Sequence, residues 1–198
     1  MSLRPMLFAS SVQPLISAAD SEDVSLIPRV VEWFSTSLEE SDPSTIDMVK
    51  REAERLLSGN LKGQAESEDH VQIVSALAKI LAVEIEASMI ADGNWKQPAW
   101  DAYFSAIKRF IDSRTTERFG QLAQRKRPLF GSSIASSWSY YGYLLREEVQ
   151  QLLAGLNATA ASHPEISSGS FIDGFHNEIT GWLKQAQERA TDLWLFAS

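Results

Sequence analysis

Apolar side chains recur along this chain at intervals of three and four residues, the spacing of one face of an α-helix. In SLIPRVVEWFSTSLEE, the residues Ile27, Val30, Val31, Phe34 and Leu38 fall on one stripe. Pro28 suits a first helical turn there, where its missing N–H has no partner to lose. SDPSTIDMVKREAERLLSGN opens on Ser-Asp-Pro, closes on Gly59 and aligns Ile46, Val49, Ala53, Leu56 and Leu57. The polar loop GNLKGQAESEDH separates it from the longest periodic run. That run has Ser67 as a helix N-cap, Glu68 and Asp69 in the first turn, and a stripe through Val71, Val74, Leu77, Ala78, Leu81, Ile85, Ser88 and Met89. Ile73, Ile80 and Ile90 lie beside it, so the apolar face is wide, which predicts a central helix ending at Gly93.

Further along, QPAWDAYFSAIKRFIDSR places Trp100, Tyr103, Phe104, Ile107, Phe110 and Ile111 on a common face, and TTERFGQLAQR predicts a short helix after a kink near Ser113. REEVQQLLAGLNATAASH gives a stripe of Val149, Leu152, Leu153 and Leu156, with Glu147 and Glu148 as acids of its first turn. The last segment aligns Ile172, Phe175, Ile179, Trp182, Leu183 and Ala186, and its apolar end, Leu193, Trp194 and Phe196, predicts a docked rather than a frayed tail. Only RPMLFASSV and SWSYYGYL read as short strands, and neither adjoins a hairpin turn. The pattern predicts a mainly α fold, one compact domain over residues 1–198 with seven to nine helices and few or no strands. A division into two lobes would fall at 59–68 or at 124–137.

Composition agrees with a globular chain. Hydrophobic residues make up 44% and charged residues 22%, which argues against disorder of the whole chain. With no cysteine, disulfides, thiolate nucleophiles and cysteine-bound metals are excluded. The opening MSLRPMLFAS lacks the apolar run of a signal peptide, and no stretch of apolar residues is long enough for a membrane span, so the expectation is a cytoplasmic protein.

Charge is placed unevenly. Residues 1–99 hold sixteen acids against eight bases, and the second half balances ten against ten, so the whole net charge of −8 belongs to the first half. Within 108–127 seven bases stand against two acids, after which the eighteen residues Pro128–Leu145 carry no charge and include five aromatics. An acidic chain is repelled by phosphate backbones, which argues against nucleic acid as a partner. The bases fit a solvated face near helix C-termini, and the aromatic stretch fits a covering over a helical core. The alternative is an anion or small-ligand pocket near 125–143 lined by Arg125, Arg127, Trp138 and Tyr141, with backbone N–H groups of the Gly-Ser segment aiding the arginines.

Dedicated chemistry is sparse. Asp173 and His176 stand three apart, which on a helix is half of a metal site, but a third ligand would have to come from elsewhere and no HExxH pattern is present. The plainer expectation is that Asp173 caps a helix and His176 is a partly exposed surface group. The acid pairs Glu39/Glu40, Glu84/Glu86 and Glu147/Glu148 point to different helix faces and do not converge. No serine-nucleophile or phosphate-loop motif occurs, and no cofactor is implied.

Two segments of the C-terminal third, WSYYGYLLREEVQQLLAGL and EITGWLKQAQERATDLWLF, resemble the end of the YfbM-like bacterial proteins, a group of domains of unknown function. The resemblance rests on Leu144, Glu148, Val149, Leu153, Leu156, Trp182, Leu183, Ala186, Asp192, Leu193 and Phe196. It implies a bacterial helical domain and carries no activity with it. The sequence as a whole favours a non-enzymatic interaction protein, immunity- or regulator-like, whose acidic half meets a basic protein partner through Glu39, Glu40, Asp42, Glu66, Glu68 or Asp69.

Overall fold

The structure is a computed structural model that describes residues 5–37, 43–58, 68–92, 97–123, 127, 141–166 and 170–197. The chain is mainly α, with eight α-helices and one four-stranded sheet among the described residues. It divides into two compact units. The first is assembled from Met1–Val12, Ser88–Arg127 and Tyr141–Ala197, and the second contains Gln13–Ala87. No helix of the described residues is long and apolar enough to cross a membrane.

The second unit follows the predicted periodicity closely. Helices α2 (Ile27–Ser37), α3 (Pro43–Leu57) and α4 (Glu68–Glu84) form where stripes were read from the sequence, while α1 (Gln13–Asp20) was not expected from it. α2, α3 and α4 pack pairwise around Val30, Phe34, Val49, Ala53, Leu56, Leu57, Val74 and Leu77, all at most 5% exposed. A short 3₁₀ turn, Val24–Leu26, leads into α2 and is capped by the Asp23 carboxylate, which accepts the Ser25 N–H at 2.8 Å. On α3 the buried Glu52 accepts two hydrogen bonds from the Arg55 guanidinium, at 2.9 and 3.1 Å. Lys79 of α4 holds its ammonium 5.0 Å from the Trp33 ring centroid, and burial lowers its pKa.

In the first unit, strands β1 (Pro5–Ala9), β2 (Ser88–Asp92), β3 (Tyr141–Leu144) and β4 (Leu193–Ala197) form a sheet in the order β2-β1-β4-β3, with every pairing antiparallel. The pairing of β1 with β2 shifts register between Leu7 and Phe8, while that of β1 with β4 is continuous from Pro5 opposite Ala197 to Ala9 opposite Leu193. Four helices accompany the sheet: α5 (Gln97–Ile107), α6 (Ser113–Ala123), α7 (Arg146–Ser162) and α8 (Ser170–Glu188). α7 packs on both α6 and α8, α5 packs on α8, and α6 and α7 reach β3. α6 begins where the Asp112 carboxylate accepts the Thr115 N–H at 2.6 Å, a bond that holds the Asp112 pKa below its ordinary value.

One expectation is corrected here. The helix predicted to run to Gly93 stops at Glu84, and residues 88–92 turn back as β2. The stop is made by Glu86 in the left-handed region, φ 49°, with the Ala87 N–H donating to the Ala82 carbonyl at 2.8 Å. α8 ends the same way, with Ala190 at φ 53° and the Thr191 N–H donating to the Ala186 carbonyl. Neither position is glycine, so the residue that ordinarily marks such an end is missing. The apolar tail is docked, as its composition predicts, and it docks as a strand that the sequence reading did not name: β4 lies between two partners, and Leu193, Trp194, Leu195 and Phe196 are at most 1% exposed. A strand covered on both faces shows no alternation.

Candidate functional site

At the N-terminus of α7 the N-cap position is Leu145, which has no side chain able to cap. The orphan backbone donors are satisfied by two carboxylates instead. Glu148, in the first turn, reaches back to accept the Leu145 N–H at 2.8 Å. Asp192, far along the chain and just before β4, accepts the Arg146 N–H at 2.9 Å and, through its other oxygen, the Val12 N–H at 3.0 Å. Asp192 thus ties the end of β1 and the start of α7 to the entry of β4.

Glu148 also gathers two guanidiniums. Arg127 forms a fork onto it, Nη1 to Oε2 at 2.8 Å and Nη2 to Oε1 at 2.6 Å, and Arg118 Nη1 lies 3.2 Å from Oε1. Arg118 further donates to the side chains of Gln151 and Gln121, both at 2.9 Å, and Arg127 stacks 4.6 Å from the Tyr143 ring centroid. The three charged side chains are only 12–18% exposed. Burial alone would push the Glu148 carboxyl up. The hydrogen bonds from Arg127 and Leu145 and the nearby positive charges outweigh it and hold the group below its ordinary value.

This places one of the residues predicted to line a pocket near 125–143. Arg127 spends both terminal nitrogens on the chain's own Glu148. Tyr141 is the first residue of β3, opposite Phe196, with its side chain outside the described residues. Arg125 and Trp138 also lie outside them, as do the side chains of Glu39, Glu40, Asp42, Glu66, Glu68 and Asp69.

His176 departs from the expectation of a partly exposed surface group. It is 6% exposed, and its Nδ1 lies 2.7 Å from the Tyr103 hydroxyl in a fully buried pair. Burial raises the Tyr103 pKa well above its ordinary value, so the phenol is protonated. No other acceptor for its proton is found among the described residues, so the O–H donates to Nδ1 and the neutral imidazole carries its hydrogen on Nε2. Asp173 lies inside the first turn of α8 rather than capping it and accepts a hydrogen bond from Asn177 Nδ2 at 3.0 Å. Among the described residues no group of three His, Asp or Glu is placed to hold a metal ion. Around the pair stands an aromatic cluster of Trp100, Tyr103, Phe119, Phe175 and Trp182, with ring centroids 4.9–6.4 Å apart. Trp100 Nε1 is buried in it without a hydrogen-bond partner.

Burial lowers the His176 pKa against the opposing charge of Asp173. A histidine depressed in the folded state binds its proton more readily unfolded, so its stabilising contribution is intact above the ordinary value of 6.5 and is lost as pH falls below it toward the folded value. Urea unfolding between neutral and mildly acidic pH should therefore show stability falling as pH drops. The slope should be smaller in His176→Gln, and an unchanged slope would assign the loss to other groups.

A third feature carries no sequence signal. α7 and α8 leave a groove of about 450 Å³ between them. Leu153 and Asn157 line it from α7, and Asn177, Thr180, Gly181, Lys184 and Gln187 line it from α8. None of these lies in the 125–143 segment, and no motif marks them, because the groove exists only once two helices pair. Comparison of the chain with protein-family models, with curated proteins and with solved structures gives no match.

Proposed function

We propose that this chain is a non-enzymatic interaction protein whose acidic half meets a basic partner. The observation that supports it is the charge distribution: the net −8 lies entirely within residues 1–99. Within the second unit the side chains of Glu22, Asp23, Glu32, Asp47 and Glu54 are exposed, so acid there faces solvent. Complementary charge of this kind speeds encounter and fixes orientation, and it weakens as salt screens it. The YfbM-like resemblance of the C-terminal third adds a bacterial setting and no activity. In affinity capture from a bacterial lysate, followed by reconstitution with the purified candidate, a basic protein should bind at low salt and be released at high salt. It should also fail to bind a variant carrying Glu22→Lys, Glu32→Lys and Asp47→Lys. Binding that ignores both salt and the triple substitution, or no partner at either salt, would overturn this reading.

A second reading, a small-ligand protein, is favoured by one observation, the groove between α7 and α8.

A further inference from the structure

We propose that the α7–α8 groove is a binding site for a neutral polyhydroxylated molecule of monosaccharide to disaccharide size. Its volume of about 450 Å³ falls in the range of small-molecule sites, roughly 300–1,000 Å³. The chemistry of the lining selects among ligands of that size. Three carboxamides, Asn157, Asn177 and Gln187, each offer a donor and an acceptor side by side, which matches neighbouring hydroxyls that also do both. Local bonds orient two further groups. The Thr180 hydroxyl gives its proton to the His176 carbonyl at 2.7 Å, leaving the oxygen as an acceptor. Asn177 gives one N–H to Asp173, leaving its carbonyl and second N–H for a ligand.

Leu153 is the apolar member of the described lining and is itself buried, so the contacts offered to a ligand are mainly polar. Among the described residues no aromatic ring lines the groove, so they offer a flat apolar ligand nothing to stack on. Among the described lining residues only Lys184 is charged, and its ammonium stands 3.9 Å from Glu188 in an exposed pair that partly offsets its charge.

Gly181 also lines the groove. It sits inside the nineteen-residue helix α8, where glycine is less favourable than alanine by roughly 0.5–1 kcal/mol. A Cβ built there would meet nothing within 4 Å, so packing does not require glycine at this position. A larger side chain there would enter the groove's open space.

The test is titration of the full chain with D-glucose, D-galactose, D-mannose and maltose, read by ligand-observed saturation-transfer NMR. Binding of at least one sugar is expected. It should weaken about tenfold or more in Gly181→Leu, whose side chain fills the groove, and in Asn177→Ala, while Gly174→Ala binds as the wild type does. Circular dichroism and thermal melting confirm that each variant folds, which is expected because all three positions lie on the open side of α8. No transfer to any of the four sugars, or equal transfer to wild type and Gly181→Leu, would overturn the proposal. The acidic-surface reading stands or falls separately, since none of its residues lines the groove.

Discussion

Replacing Gly142 by alanine should remove about 3 kcal/mol or more of stability, enough to unfold the first unit or to prevent its expression in soluble form. Gly142 is the second residue of β3, opposite Leu195, and lies under the C-terminal turn of α6. A Cβ there would run into the carbonyl oxygens of Leu122 and Gln121 and lie 2.6 Å from the Leu122 carbonyl carbon. These are backbone atoms of a helix whose Leu122 and Ala123 are fully buried, so no rotamer change relieves the overlap. Either α6 lifts from the sheet or β3 leaves its pairing with β4. The control is Gly174→Ala on α8, where a Cβ meets nothing within 4 Å and helix propensity predicts a gain of up to about 1 kcal/mol. Urea denaturation of both variants checks the pair. Equal behaviour would mean that the close approach of β3 to α6 is not what glycine serves at 142.

The second large effect is expected at Glu148. Glu148→Ala removes the acceptor for the Leu145 N–H and takes from Arg127 the carboxylate it forks onto, while Arg118 keeps the exposed Glu117 at 3.3 Å. Uncompensated charge of this kind is costly when fully buried. Because Arg118 and Arg127 keep 18% exposure, a loss of about 2–4 kcal/mol is expected rather than the upper extreme. The pH dependence separates charge from shape. A carboxylate whose folded pKa is depressed contributes stability above its ordinary value of 4.5 and loses it as pH falls through the folded value. Glu148→Gln, which keeps an acceptor for Leu145, should lose less than the alanine variant at neutral pH. It should also show a flatter decline of stability below pH 4.5 than the wild type. A decline of the same steepness would place the acid sensitivity elsewhere.

These two positions show how far the sequence is readable. Except for α1, for which no stripe was read, the helices are legible because their stripes are regular: Val49, Ala53, Leu56 and Leu57 are buried as their spacing requires, and so are Phe175, Ile179, Trp182 and Leu183. β1 and β3 were legible as short strands. β2 was not, because Ile85, Met89 and Ile90 extend the periodicity of α4 past its true end, and the stop is a left-handed glutamate instead of a glycine. β4 was hidden by lying between two strands, where every side chain is apolar. His176 does carry a signal: it falls four residues after Ile172 and seven before Leu183, on the stripe that faces the core. Glu148 was correctly placed in a first helical turn, but its pairing with Arg127, twenty-one residues earlier, depends on tertiary placement that no local pattern encodes. The same holds for the groove, which needs two helices and an absent side chain to exist.

The central pair of the sheet joins residues 5–9 to residues 193–197, almost the whole chain apart. During synthesis β4 emerges after every other described element, so β1 can pair with β2 while its other edge stays open until residues 193–197 emerge. The 75 residues of Gln13–Ala87 intervene before even β2 can reach it, whereas α2, α3 and α4 contact near neighbours and can consolidate early. Nascent chains stalled a few residues short of Leu193 should hence carry a helical unit already protected from protease alongside an unfinished, chaperone-dependent remainder.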